Sequence, residues 1–146
     1  MDARTILVVE DNPDDEELTL RSLRRARLAN EVVVARDGSE ALDYLYGGGD
    51  YAERDPAQVP ALVLLDLKLP KVDGIAVLKR IRAEPLTRYL PVVVMTSSSE
   101  DEDMVRSYDS GANSYVRKPV DFSEFATAVQ QLGLYWLVIN SVPKLV

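Results

Sequence analysis

The chain has 146 residues, of which 47% are hydrophobic and 28% charged, a composition typical of one folded domain. It contains neither histidine nor cysteine, which excludes disulfides, Ser-His-Asp or Cys-His catalysis, and zinc sites built from those side chains. The net charge of −7 would repel nucleic acid, and the longest apolar run, Leu134 to Ile139, has six residues where a membrane helix needs about 20. No signal-peptide pattern follows Met1. We therefore expect a cytoplasmic protein that binds neither nucleic acid nor membranes.

Short runs rich in Val, Ile and Leu alternate along the chain with amphipathic stretches, a pattern typical of buried parallel strands joined by helices. The predicted strands are Thr5–Val9, Glu31–Ala35, Ala61–Leu65, Pro91–Met95 and Asn113–Val116. The predicted helices are Asp14–Ala26, Ser39–Leu45, Val72–Ala83, Ser99–Ser110 and Asp121–Leu132. This alternation predicts an α/β fold.

Several helix starts carry local signals. Ser99 with Glu102 forms a capping-box pattern, and Asp121 with Glu124 repeats it with an aspartate cap. The acidic run Asp14–Glu17 falls in the first turn of the first helix, where negative charge suits the helix dipole. Recognition of a partner is the alternative interpretation of that run.

The segment from Gly47 to Pro60 has no apolar periodicity and is long for a connection in a compact domain. Its three consecutive glycines match neither a Walker loop nor a dinucleotide-binding loop. We interpret it as a flexible insertion.

Polar side chains follow four of the predicted strands. Parallel α/β sheets bind ligands beyond the carboxyl ends of their strands, and there the sequence places Glu10, Asp11, Asp66, Thr96 and Lys118. Each of these residues alone would also suit a cap or a turn. Together, three carboxylates favour a cation, and oxygen-only ligands point to Mg²⁺. A carboxylate beside a divalent ion can act as a nucleophile toward phosphorus, with a lysine and a hydroxyl assisting.

These residues resemble the receiver domain of two-component response regulators over roughly residues 5 to 132. The resemblance rests on the acidic pair Glu10-Asp11, the segment from Leu65 to Gly74, and then, in order, Thr96, Tyr115 and Lys118-Pro119. It implies a doubly wound, flavodoxin-like sheet of five parallel strands in the order 2-1-3-4-5, with helices on both faces, and a receiver domain spanning residues 1–132.

The same resemblance implies roles for the site residues. Asp66 would accept a phosphoryl group from a histidine kinase, in a reaction that the receiver itself catalyses. Asp11, Asp66 and the backbone carbonyl of Lys68 would bind Mg²⁺, and Glu10 would act through metal-bound water. Lys118 would pair with the phosphoryl group, and a cis peptide is expected between Lys118 and Pro119.

The response to phosphorylation is also implied by the resemblance. Thr96 would hydrogen-bond a phosphoryl oxygen, and Tyr115 would swing inward and transmit the event to the surface; an aromatic residue packed at a strand edge is the alternative. Lys68 and Ser98 would tune a slow autodephosphorylation. The chain is therefore not expected to be an enzyme acting on an external substrate.

Residues 133–146 form a predicted C-terminal extension that is too short for an output domain. One apolar stripe should face the core: Phe122, Phe125, Val129, Leu132, Trp136 and Ile139. That leaves on other faces Leu134, Tyr135, Leu137 and Val138, which favours a homodimer interface, although the extension could fold back on its own domain. Gly133 could end the helix.

The extension and the long loop resemble single-domain regulators that accompany bacterial and cyanobacterial phytochromes. A bacteriophytochrome kinase is then the expected partner, with a histidine phosphotransfer protein as a possible second one.

Two other functions remain open at this stage. An aspartate-nucleophile phosphatase would need a second acid two residues after Asp66, where the chain has Lys68. A pseudo-receiver would keep the fold as a binding module without accepting phosphate.

Overall fold

The computed structural model describes residues 4–28, 30–118 and 121–143. Five strands form one parallel sheet in the order β2-β1-β3-β4-β5, which confirms the predicted topology. The strands are β1 (Ile6–Val9), β2 (Val32–Ala35), β3 (Leu62–Leu65), β4 (Val92–Thr96) and β5 (Ser114–Arg117). The helices are α1 (Pro13–Arg25), α2 (Gly38–Tyr46), α3 (Gly74–Ala83), α4 (Asp101–Asp109) and α5 (Phe122–Leu134).

Side chains that alternate along each strand build two separate cores, one on each face of the sheet. Leu7 and Val9 of β1 pack on the face covered by α2 and α3, against residues such as Leu45 and Leu78. Ile6 and Val8 pack on the opposite face, in a cluster whose helical members include Leu23, Phe125 and Val129. The inner strands β1, β3 and β4 are buried on both sides, which explains their nearly continuous apolar sequences.

Helix starts agree with the capping signals except at α4. Asp121 accepts hydrogen bonds from the backbone N–H groups of Ser123 and Glu124, as predicted. The Ser99 capping box is wrong, because α4 begins at Asp101 and its N-cap residue, Glu100, makes no side-chain capping bond. Ser98 binds there instead: its hydroxyl accepts from the N–H of Glu100 (3.2 Å) and donates to Asp103 (2.6 Å).

The long connection between α2 and β3 is more ordered than the sequence predicts. Gly47 ends α2 in the left-handed conformation, and a 3₁₀ turn follows at Gly49–Tyr51. The Tyr51 ring packs edge-on against Tyr44 with 5.1 Å between centroids. The Arg54 guanidinium lies over the Tyr44 ring, 3.9 Å from its centroid, so the segment is held against the domain.

Gly74 allows α3 to begin directly against the residues that follow β3. A Cβ at this position would lie 2.3 Å from the carbonyl oxygen of Asp66 and 2.6 Å from the Cα of Leu67. Since both atoms belong to the backbone, no side-chain rotation could make room. A glycine here therefore helps to set the position of Asp66.

The C-terminal end of α5 departs from the predicted stripe. The helix continues through Gly133, which lies close to Leu28, and then widens into a π-helical turn, Tyr135–Ile139, closed by an i to i+5 bond from Asn140 to Tyr135. This wider turn rotates the later side chains, so Leu137 packs on the core while Ile139 is 62% exposed. Ile139 is thus wrongly predicted as a core residue.

The first residue of the predicted stripe is also outside the core. Phe122, at the start of α5, is 54% exposed, whereas Phe125 and Val129 are buried as predicted. Leu132 and Trp136 pack against the cluster between the sheet and α5. The extension therefore shares its apolar side chains between its own domain and the surface.

Candidate functional site

The carboxyl ends of β1, β3, β4 and β5 bring the predicted polar residues to one edge of the sheet. Backbone bonds between neighbouring strands fix their positions: Glu10 N–H donates to Ala35 (3.0 Å), and Lys118 N–H donates to Thr96 (2.8 Å). Asp66 N–H donates to the carbonyl of Val9 (3.0 Å). Glu10, Asp66 and Lys118 are thus held by backbone hydrogen bonds to neighbouring strands.

Three carboxylates form a cluster suited to a metal ion. One oxygen from each of Glu10, Asp11 and Asp66 lies within 4.8 Å of the others. Glu10 and Asp66 are buried and Asp11 is exposed, so the cluster opens to solvent on one side. Its oxygen-only donors and excess negative charge fit a hard divalent cation such as Mg²⁺.

Lys118 contacts two of the three acids of this cluster. Its Nζ donates to Glu10 Oε2 (2.6 Å), Asp15 Oδ2 (2.9 Å) and Asp66 Oδ2 (3.3 Å). Only 8% of the lysine side chain is exposed. Burial by itself would lower the pKa of Lys118, but the hydrogen bonds to Glu10 and Asp15 and the charge of Asp66 raise it above its ordinary value. The ammonium therefore stays charged and binds three acids at once.

Asp15 is the member of this arrangement that the sequence interpretation missed. It lies in the first turn of α1, where Asn12 caps the helix by accepting from the N–H groups of Asp14 (2.9 Å) and Asp15 (3.1 Å). The sequence favours the helix dipole as the role of the whole acidic run, with recognition of a partner as the alternative. An aspartate two residues after Pro13 carries no local signal that separates it from its neighbours, so only the fold reveals its contact with Lys118.

Burial changes the ionisation of Glu10. Burial raises the pKa of its carboxyl group from 4.5 to about 7, against the hydrogen bond from Lys118, and the charge of Asp66 raises it further. Its Oε1 also accepts from the N–H of Asn12 (3.1 Å). A bound cation would favour the charged form of Glu10.

Within the described residues, the Asp66 carboxylate accepts two hydrogen bonds, both long. Its Oδ2 accepts from Lys118 Nζ (3.3 Å), and its Oδ1 accepts from the N–H of Lys68 (3.4 Å). The Lys68 side chain is exposed. The role of the Lys68 carbonyl as a metal ligand stays a prediction.

Thr96 ends β4 at the same edge of the sheet, and Tyr115 lies in β5. Thr96 is fully buried, and its hydroxyl accepts from the N–H of Ser98 (3.2 Å). The Tyr115 hydroxyl is buried without a hydrogen-bond partner among residues 4–28, 30–118 and 121–143, and its ring packs against the core on the α2 and α3 face. Burial, with the nearby charge of Asp103, raises the pKa of Tyr115. The predicted cis peptide after Lys118 involves Pro119, which is outside the described residues.

The fold and the site thus define a doubly wound α/β domain with an acidic cluster suited to a cation and a lysine at the carboxyl edge of its sheet. Residues 6–130 match the response regulator receiver domain family, and the chain belongs to this family.

Curated relatives and solved structures agree with that assignment. The chain is 41% identical over 141 residues to the probable methanogenesis regulatory protein FilR2 of Methanothrix harundinacea, covering 94% of this chain and 86% of FilR2. It is 36% identical to the response regulator Rcp1 of Synechocystis, covering 96% and 93% of the two chains.

Two solved structures of phytochrome response regulators are also similar. Phosphorylated cyanobacterial RcpA has a TM-score of 0.90 at 37% identity, with 98% of this chain and 100% of RcpA covered. The bacteriophytochrome response regulator AtBRR has a TM-score of 0.76 at 55% identity, with 97% and 100% covered. Within the described residues, no helix is long and apolar enough to span a bilayer.

Proposed function

We propose that this response regulator accepts a phosphoryl group on Asp66 from a histidine kinase in a Mg²⁺-dependent reaction. The observation that carries the proposal is the position of Asp66, whose carboxylate belongs to the three-acid cluster and also contacts Lys118 at 3.3 Å. An acceptor needs both neighbours, because phosphoryl transfer depends on positioning and on neutralising the charge of the transferred group.

In the proposed reaction, an oxygen of Asp66 attacks the phosphorus of a kinase phosphohistidine. A P–O bond forms, the P–N bond breaks, and the histidine nitrogen leaves with the electron pair and takes up a proton. Glu10, Asp11, Asp66 and the carbonyl of Lys68 would hold Mg²⁺, with Glu10 acting through metal-bound water. The ion supplies positive charge for the phosphoryl oxygens, and the ammonium of Lys118 supplies more.

The domain itself would catalyse phosphorylation and then lose the group slowly by autodephosphorylation. Thr96 would turn its hydroxyl from the N–H of Ser98 toward a phosphoryl oxygen. Tyr115 would respond to this movement, with its unpartnered hydroxyl gaining a hydrogen bond. Lys68 and Ser98, each two residues beyond a site residue, would tune water access and hence the lifetime.

The partner in this proposal is a bacteriophytochrome kinase, because the similar proteins RcpA and AtBRR are response regulators of a cyanobacterial phytochrome and a bacteriophytochrome. A histidine phosphotransfer protein is a possible second partner, and we propose a cytoplasmic location. We further propose that residues 1–132 form the receiver and that residues 133–146 contribute to a homodimer interface. Four large apolar side chains of this extension are about half exposed or more, which supports an interface: Leu134, Tyr135, Val138 and Ile139.

Phosphotransfer from purified phytochrome kinases, under red and far-red light, tests the proposal. We expect radiolabel to move from the kinase to the wild type and to Asp109→Asn, a surface control, but not to Asp66→Asn. Label appearing on Asp66→Asn would refute the site. If neither the kinases nor labelled acetyl phosphate, a small phosphoryl donor, placed label on the wild type, the protein would be a binding module without phosphotransfer.

A further inference from the structure

We propose that Asp15 is a positioning residue that holds the Lys118 ammonium in reach of the phosphoryl group on Asp66. This inference deepens the proposed function and rests on it. Lys118 donates to three carboxylates, and Glu10 and Asp66 both belong to the three-acid metal cluster. Asp15 is the remaining partner and is outside that cluster.

The division of partners matters once a divalent cation is bound. Glu10 and Asp66 then share their negative charge with the ion, and the ion repels the ammonium. Lysine has a flexible four-carbon side chain and a point charge, so it keeps a position only where its partners fix it. Asp15 would then be the one carboxylate, among the three that Lys118 contacts, whose charge serves the ammonium alone.

The backbone of α1 fixes Asp15 in place before any cation binds. Asn12 caps the helix through the N–H groups of Asp14 and Asp15. Pro13 occupies the first helical position, where its φ is preset for the helix. The carboxylate of Asp15 is therefore oriented by a capped, rigid turn rather than by an adaptable loop.

Asp15 does not compete with the acceptor for the lysine. An ammonium has three N–H donors, and in the structure it contacts Asp15 at 2.9 Å and Asp66 at 3.3 Å at the same time. The Asp15 side chain is 32% exposed while that of Lys118 is 8% exposed, so the aspartate keeps contact with water that the lysine has lost. The ammonium can therefore keep its bond to Asp15 while it also contacts Asp66.

Binding of beryllofluoride, a phosphoryl mimic, tests the inference in saturating Mg²⁺ by ¹⁹F NMR titration. Because charge-assisted hydrogen bonds are about twice as strong as neutral ones, we expect Asp15→Asn to weaken beryllofluoride binding about tenfold. Mg²⁺ affinity, measured separately by calorimetry, should fall by a smaller factor, since Asp15 is not in the metal cluster and acts on the ion only at longer range. A merely structural loss would weaken both by the same factor.

Three further variants separate positioning from general charge. Asp14→Asn removes the same charge from the same exposed turn and should leave beryllofluoride affinity unchanged. Asp15→Glu keeps the charge and should recover part of the binding. In a Lys118→Met background, Asp15→Asn should have no further effect, because its effect operates through Lys118.

Equal affinities for wild type and Asp15→Asn, or equal losses in Asp14→Asn and Asp15→Asn, would overturn the inference while leaving the acceptor assignment intact. Loss of Mg²⁺ affinity in parallel with beryllofluoride affinity would overturn it as well. A wild type that binds Mg²⁺ but neither binds beryllofluoride nor accepts a phosphoryl group would overturn the proposed function and, with it, this role of Asp15.

Discussion

Replacing Lys118 with methionine tests the electrostatic arrangement of the site most directly. The side chain is 8% exposed and makes ion pairs of 2.6, 2.9 and 3.3 Å with Glu10, Asp15 and Asp66. Removing one partner of a buried ion pair typically costs about 3–5 kcal/mol, because the opposite charges stay buried without compensation. We therefore expect Lys118→Met to lower the free energy of unfolding by about 3 kcal/mol in metal-free buffer at pH 8.

The same variant should bind Mg²⁺ more tightly than the wild type. Asp66, which would ligate the ion, and Glu10, which would act through its bound water, both also contact the ammonium. Since the two cations repel each other and draw on the same carboxylates, we expect the Mg²⁺ affinity of Lys118→Met to rise about tenfold. The bound ion should also restore much of the lost stability.

Calorimetric titration with Mg²⁺ and urea unfolding with and without the ion measure both effects. Lys79→Met, which removes an exposed lysine of α3, is the matched control and should change neither quantity. Unchanged or weaker Mg²⁺ binding by folded Lys118→Met would refute the reasoning, because it would mean that the ammonium and the ion do not compete for the same carboxylates.

Three further changes have defined outcomes. Burial raises the pKa of Glu10 from 4.5 to about 7, so the stability contributed by its protonated form is complete below pH 4.5 and is lost as the pH rises through 7, by up to about 3 kcal/mol. In urea unfolding without metal, the wild type should therefore lose more stability between pH 5 and 8 than Glu10→Gln. Parallel pH profiles for the two proteins would contradict this. Gly74→Ala should lower the free energy of unfolding by about 3 kcal/mol and displace Asp66, because the new Cβ meets only backbone atoms. In the control Gly133→Ala the new Cβ meets a side-chain methyl group, so its stability should stay within about 1 kcal/mol of wild type. Equal losses in the two variants would show that the close approach at Gly74 does not limit stability. Tyr115→Phe removes a buried hydroxyl without a partner among the described residues, so it should raise the free energy of unfolding by about 1 kcal/mol and raise the melting temperature. A lower melting temperature would indicate that the hydroxyl has a hydrogen-bond partner.

Much of the fold was predictable because its signals are local and repeated. Each predicted strand agrees with the structure to within one residue at either end, since buried parallel strands are short runs of Val, Ile and Leu bounded by polar residues. Helix starts were less secure. At α4 the hydroxyl of Ser98 binds both Glu100 and Asp103, and this arrangement replaces the capping box predicted at Ser99.

The cluster of Glu10, Asp11 and Asp66 could be predicted for a topological reason: residues that directly follow parallel strands meet at one edge. The contact between Asp15 and Lys118 could not, because it joins residues 103 positions apart and Asp15 is on a helix rather than at a strand end. The exposure of Ile139 could not be predicted from the sequence either, because it depends on a π-helical turn that changes the helical period after Leu134.

The amino-acid sequence by itself determined the order of strands and helices, the absence of histidine and cysteine chemistry, and which acids end the strands. Tertiary structure alone decided which acids share the lysine, how far Tyr115 is buried, and which side chains of the C-terminal extension face solvent. The reason is physical: periodicity and strand ends are properties of neighbouring residues, whereas ion pairing and burial depend on distances between segments that only the folded chain brings together.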